Sequence, residues 1–209
     1  MNLVDLSVGA FVQELASEQP APGGGSVAAL CGALAAALCA MVGRLTVGRK
    51  NQEQVWSAMA SVRDGAEELK TDLLHLVDAD TKAYNLVTAA YRLPKGNEEE
   101  ISKRNAAIQS ALQVAAQVPL KTLKALSGMP ELARQAIELG NPNCLTDAGV
   151  ALQLVRAAAF GAAYNVRINA GSLKDRREAE ILLAETETTL QQIKKETERL
   201  EGVVDKKVG

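Results

Sequence analysis

Aromatic residues make up only 3% of this 209-residue chain, against 47% hydrophobic residues overall, which excludes an interior built from rings and leaves Ala, Leu and Val to fill it. Cysteine is scarce too. Cys31, Cys39 and Cys144 are odd in number, have no CxxC spacing and follow no secretory signal, so we expect neither a disulfide framework nor a zinc site, and a reducing compartment, the cytoplasm. His75, the only histidine, sits in the apolar run Leu73-Leu74-His75-Leu76-Val77 and reads as a structural residue; without a second histidine or clustered cysteines no metal ligand set forms. Charge of one sign is also missing. Lys+Arg (23) nearly balance Asp+Glu (25) for a net charge of -2, with no basic stripe to follow a phosphate backbone, so no nucleic-acid partner is expected. No strand pattern longer than a few residues, no internal repeat and no low-complexity linker occurs.

What is present is helical periodicity. The length suits one hydrophobic core, a single domain over 1–209. Apolar residues recur at helical spacing from Leu6 to Gln19, with Asp5 or Ser7 placed to cap, and the helix ends before Pro20. PAPGGGS (Pro20 to Ser26) breaks regular structure, and Ser26 is placed to cap a second helix running to about Val47. Within it, Val27 to Val42 is nearly uncharged but dominated by Ala and Gly and bounded by Arg44. We read it as a buried helix crossing others at close range rather than a membrane span. A long helix over Gln52–Arg92 follows, then one from Asn97 to Leu126 in which Pro119 should introduce a kink. A short helix from Pro130 meets a glycine cap at Gly140; another runs through about Ala170, and a charged, largely exposed one ends near Val204. The fold class expected is all-α, an antiparallel helical bundle.

Three features carry chemistry. Gly23, Gly24 and Gly25, directly before an apolar helix, let backbone come close to a ligand and aim amide donors at an anion or at oxygen developing charge; a permissive turn would need fewer glycines. No Gly-Lys-Ser/Thr follows, so this is not a phosphate-binding P-loop. Asp80 with Tyr84, and Asn165 with Asn169, are four apart, so each pair shares a helix face, though isolated polar pairs are usually just solvated. Asn141, Asn143, Thr146 and Asp147 gather amide and carboxylate groups at a helix start, where capping is the simpler reading. No Ser/His/Asp or Cys/His arrangement points to covalent catalysis, leaving carboxylates for acid and base work.

PAPGGGS, Asp80 with Ala83-Tyr84, GNPNCLTDAGVA (Gly140 to Ala151) and YNVRINA (Tyr164 to Ala170) together resemble the cyclodeaminase/cyclohydrolase family, which includes formiminotetrahydrofolate cyclodeaminase and short bacterial methenyltetrahydrofolate cyclohydrolases. YRLPK (Tyr91 to Lys95), AIQSALQVAAQVPL (Ala107 to Leu120) and INAGSLKDR (Ile168 to Arg176) look closer to the stand-alone cyclohydrolases. Ala21 and Thr146 depart slightly from the family's usual Thr or Ser and Ser. The resemblance implies an all-helical homodimer with folate near the subunit interface, no cofactor or metal beyond the folate substrate, and hydrolysis of methenyltetrahydrofolate to formyltetrahydrofolate. A carboxylate would orient or deprotonate the water and return the proton to the departing nitrogen. Asp147 is the first candidate for this role and Asp80 the second. Asn141, Asn143, Asn165 and Asn169 would hydrogen-bond the pterin edge, with Gly23 to Gly25, Ser26 and Tyr84 lining the cleft. Arg49 and Lys50 would meet the glutamate tail. Two rivals remain at this stage: ammonia-releasing cyclodeamination, and a non-catalytic helical bundle that binds a partner through Ala-rich faces.

Overall fold

The structure, a computed structural model, describes residues 2–209. The described residues form seven α-helices and no strand: α1 (Val8–Leu15), α2 (Gly24–Thr46), α3 (Trp56–Tyr91), α4 (Glu98–Ala125), α5 (Met129–Leu139), α6 (Leu145–Gly171) and α7 (Arg176–Val208). Local chemistry fixes several ends. Ser7 caps α1 through the Ala10 amide (3.2 Å), Asn97 caps α4 through Glu100 (2.9 Å) ahead of an acidic first turn, and Asp175 caps α7 through Glu178 (3.0 Å).

α2 is the central helix, packed on α3 and α6, with α4 bridging α3 and α6 and α7 lying along α6. The neighbours run antiparallel to it. Gly25, Gly32 and Gly43 of α2 meet Asp80, Leu73 and Met59 of α3, while Gly24 and Ala28 meet Asn165 and Gly161 of α6. Small residues permit this approach: Ala28, Ala29, Ala33, Ala35, Ala36 and Ala40 are all buried on α2, as are Ala151, Ala158, Ala159, Ala162 and Ala163 on α6. Larger side chains fill the remaining space. Met59, Leu73, Leu123, Leu126 and Met129 have no exposed surface, each contributing about 1.5–3 kcal/mol by burial. By length and composition α2 could cross a membrane; here its buried side is the core of the bundle.

Four details differ from the sequence reading. α1 is shorter, Val8–Leu15. α2 begins at Gly24 rather than after a Ser26 cap, because the Ser26 hydroxyl is turned inward, 2.9 Å from the Val77 carbonyl. Gly140 ends α5 with an ordinary φ of -66°, not the left-handed glycine cap; a Cβ there would stand 2.6 Å from Val42 Cγ1, so close packing on α2 is what requires glycine. His75 lies exposed on α3, outside the core.

Candidate active site

The start of α2, the C-terminal third of α3, the middle of α4 and the end of α6 enclose a hollow of about 320 Å³. Gly23, Gly24, Gly25, Asp80, Tyr84, Asn165 and Asn169 line it, so α2, α3 and one turn of α6 unite residues far apart in the chain. Pro20, Ala21, Ala83, Val87, Ala115 and Ile168 complete the wall.

Asp80 is held from below. Ser26 Oγ lies 3.1 Å from Asp80 Oδ2, 2.9 Å from the Val77 carbonyl and 3.2 Å from Thr81 Oγ1, and the Ser26 amide also donates to the Asp80 carboxylate. The single hydroxyl proton of Ser26 can go to Asp80 when the carboxylate is ionised, or to Val77 when Asp80 itself carries a proton and donates to Ser26 Oγ. Both protonation states are therefore satisfied. Burial pushes the Asp80 carboxyl above its ordinary value, more than the Ser26 hydroxyl and amide pull it down. Ser26 is fully buried and does not line the hollow, so it supports the carboxylate instead of touching a ligand.

The first-turn amides of Gly24 and Gly25 have no intrahelical partner by their position, and the Gly23 cap supplies no side chain to them. They stand as donors at the hollow. Opposite, Asn165 Nδ2 donates to the Gly161 carbonyl and Asn169 Nδ2 to the Ala115 carbonyl, each at 2.8 Å, which leaves the two carboxamide oxygens as acceptors. No Lys or Arg lines the hollow. It combines one carboxylate, several acceptors and two backbone donors, an environment that suits a ligand bringing its own positive charge.

Pro119 belongs to this arrangement. The helix α4 continues through it from Glu98 to Ala125, but proline has no amide to give the carbonyl four residues earlier, that of Ala115. Asn169 supplies the missing donor. Pro119→Ala would restore a helical partner for Ala115 and release the Asn169 carboxamide; we expect a raised KM with thermal stability kept or increased, measurable by steady-state kinetics beside a melting curve.

The other sequence candidates gather elsewhere. Asp147 lies near the start of α6, about 27 Å along the helix from Asn165, and Arg49 and Lys50 follow the end of α2, about 33 Å from its start. Within one chain they cannot reach the hollow. Asn141 clamps the α5–α6 junction: its amide donates to Thr46 Oγ1 (2.8 Å), its Nδ2 to the Leu45 carbonyl (3.2 Å), and its Oδ1 accepts from the Arg49 guanidinium and the Asn143 amide (3.0 Å). Among the described residues no group of three His, Cys, Asp or Glu could hold a metal ion. Ala115, Val87 and Ile168 of the wall escaped the sequence reading because apolar residues at helical spacing look the same whether they face a core or a ligand.

Residues 7–188 match the family model described as Formiminotransferase-cyclodeaminase. A methenyltetrahydrofolate cyclohydrolase of Methylorubrum extorquens is 40% identical over 198 residues, 95% of each chain. A formimidoyltransferase-cyclodeaminase of Rattus norvegicus is 38% identical over 174 residues, 83% of this chain but 32% of that larger protein. Among solved structures, a formiminotetrahydrofolate cyclodeaminase from Thermotoga maritima superposes with a TM-score of 0.88 at 29% identity, covering 99% of this chain and 100% of that one.

Proposed function

Because the chain belongs to the formiminotransferase-cyclodeaminase family, we propose that it hydrolyses methenyltetrahydrofolate to formyltetrahydrofolate in folate one-carbon metabolism. The observation that supports this most is a buried-side carboxylate, Asp80, in a hollow without a cation of its own. Methenyltetrahydrofolate carries its one-carbon unit as a cationic amidinium. Placed over Asp80, that cation completes the pair and leaves the carboxylate beside the carbon that water must attack.

In the reaction, a water oxygen bonds to the methenyl carbon while Asp80 takes one of its protons. Asp80 then returns this proton to the departing nitrogen as the carbon–nitrogen bond opens, and the remaining hydroxyl proton leaves to solvent as the formyl group forms. The Ser26 hydroxyl follows the change in Asp80 by exchanging its partner. Gly24 and Gly25 amides face oxygen as it develops charge, while Asn165 and Asn169 oxygens accept from the pterin edge. Cyclodeamination would use the same groups. Likeness over 95% of a short stand-alone cyclohydrolase favours hydrolysis, and the test is a comparison of kcat/KM for water addition to the methenyl substrate with that for ammonia release from the formimino substrate; a ratio favouring ammonia would select the sibling.

A homodimer accounts for the remote cluster. Leu34 and Leu45 on α2, with the half-buried Leu38 between them, and Val150, Tyr164 and Ile168 on α6 form one apolar face on the antiparallel pair; Tyr164 and Ile168 are 60% and 70% exposed. The face runs from the hollow, which Ile168 lines, toward the far end where Asn143 and Asp147 stand. A twofold axis across its centre lays the far end of one protomer over the hollow of the other. Asp147 and Asn143 then act on a partner's substrate, with Lys50 and the Arg49–Asn141 clamp beside them. Mixing Asp80→Asn with Asp147→Asn chains checks this: exchange of subunits should restore up to about a quarter of the activity, because each mixed dimer regains one intact site, whereas no recovery would place the two aspartates in separate functions. The three free thiols are consistent with a cytoplasmic setting, and burial pushes Cys39 up to about 12, leaving it inert.

A further inference from the structure

A second hollow, of about 360 Å³, adjoins the first and shares Pro20, Ala21 and Tyr84 with it; Gln19, Asn85, Thr88, Ala89 and Arg92 form the rest of its wall. The two are one groove along α3. Asp80 lies at one end and Arg92, the residue capping the C-terminus of α3, at the other, about 18 Å further along the helix axis. Among the described residues Arg92 is the only cation lining either hollow, and it makes no ion pair, although most arginines do. Apart from Asp80 no acidic residue lines the groove, so nothing on its walls competes for the guanidinium.

The groove is thus bipolar: a carboxylate end for a cation, an uncharged middle, and a guanidinium end for an anion. A pteridine cation joined through an aromatic ring to a dicarboxylate has this charge order. We propose that Arg92 pairs with the carboxylate of the glutamate tail, the aminobenzoyl group lying over Tyr84 and the amide link near Asn85 and Thr88; this rests on the folate reading above. It reassigns the tail from Arg49, whose guanidinium is engaged by Asn141, and from Lys50, which lines neither hollow. Arginine suits the task because its planar fork takes a carboxylate through two parallel bonds.

The test crosses two substrates with two variants. Methenyltetrahydrofolate and its pteroate analogue, which lacks the glutamate, are given to the parent chain, Arg92→Gln and Lys50→Gln. We expect Arg92→Gln to raise KM for the glutamyl substrate about tenfold with kcat held, and to leave the analogue's KM at the parent value. An equal rise for both substrates, no rise, or a rise confined to Lys50→Gln would overturn the assignment. Failure of the parent chain to turn over either substrate would instead overturn the hydrolysis on which the proposal rests, so the two failures are distinct.

Discussion

Asp80→Asn is expected to lower kcat for methenyl hydrolysis about 10³-fold while the helical circular dichroism stays unchanged, because the variant keeps the shape of the side chain and loses only its capacity to take a proton. Stability should move the other way. The folded protein raises the Asp80 pKa by burial, so its protonated form favours folding below the unfolded pKa and that contribution is lost as pH rises through the folded value. Asparagine never ionises and does not incur the loss. The variant should therefore melt higher than the parent near neutral pH, with the difference shrinking toward zero as pH falls below the ordinary carboxylate range. The same raised pKa sets the acid limb of the parent's kcat/KM profile above that of an exposed aspartate. A variant that loses activity and stability together, or a parent with an unshifted acid limb, would contradict the description of this carboxylate.

Gly25→Ala carries the second large effect, by geometry alone. A Cβ at this position would lie 2.5 Å from Asp80 Cγ and 2.7 Å from its Oδ2, inside the carboxylate itself, so the acid must move off the N-terminus of α2 and away from the Ser26 hydroxyl. Displacement of a catalytic group by about 1 Å costs on the order of 10²-fold. Gly24→Ala is the informative neighbour: its Cβ would meet Asn165 Nδ2 at 3.6 Å, ordinary contact, and should cost much less. Since Gly25→Ala acts through Asp80, adding it to Asp80→Asn should cost little more, and kinetics of the double variant check this non-additivity. Equal losses for the two glycine variants would show that the glycine run serves the turn rather than the carboxylate.

The bundle was legible in the sequence because helical periodicity, caps such as Asn97 and breakers such as Pro20 are local signals that tertiary packing did not override. The family followed from motifs, and the matched residues 7–188 agree with it. The half of the site built from Gly23–Gly25, Asp80, Tyr84, Asn165 and Asn169 was legible as pairs at helical spacing; which pairs meet was not, because the pairing of α2, α3 and α6 is a long-range property. Asp147 was ranked over Asp80 from the density of polar groups at one helix start; which of the two lines the hollow is a tertiary property that such density does not report. Arg92 lay in the YRLPK motif and at spacing four from Thr88, yet only the shared hollow shows that it looks along the same groove as Asp80. Pro119 was recognised as an oddity of α4, but its consequence, a carbonyl freed for Asn169, depends on a helix 50 residues away in the chain.

The most direct test is the decay of the near-ultraviolet absorbance of methenyltetrahydrofolate on adding purified protein, followed against a buffer blank and Asp80→Asn, with ammonia assayed in parallel on formiminotetrahydrofolate. Hydrolysis at Asp80 predicts accelerated decay that the substitution abolishes and little ammonia; no acceleration together with ammonia release, or full acceleration by Asp80→Asn, would contradict it.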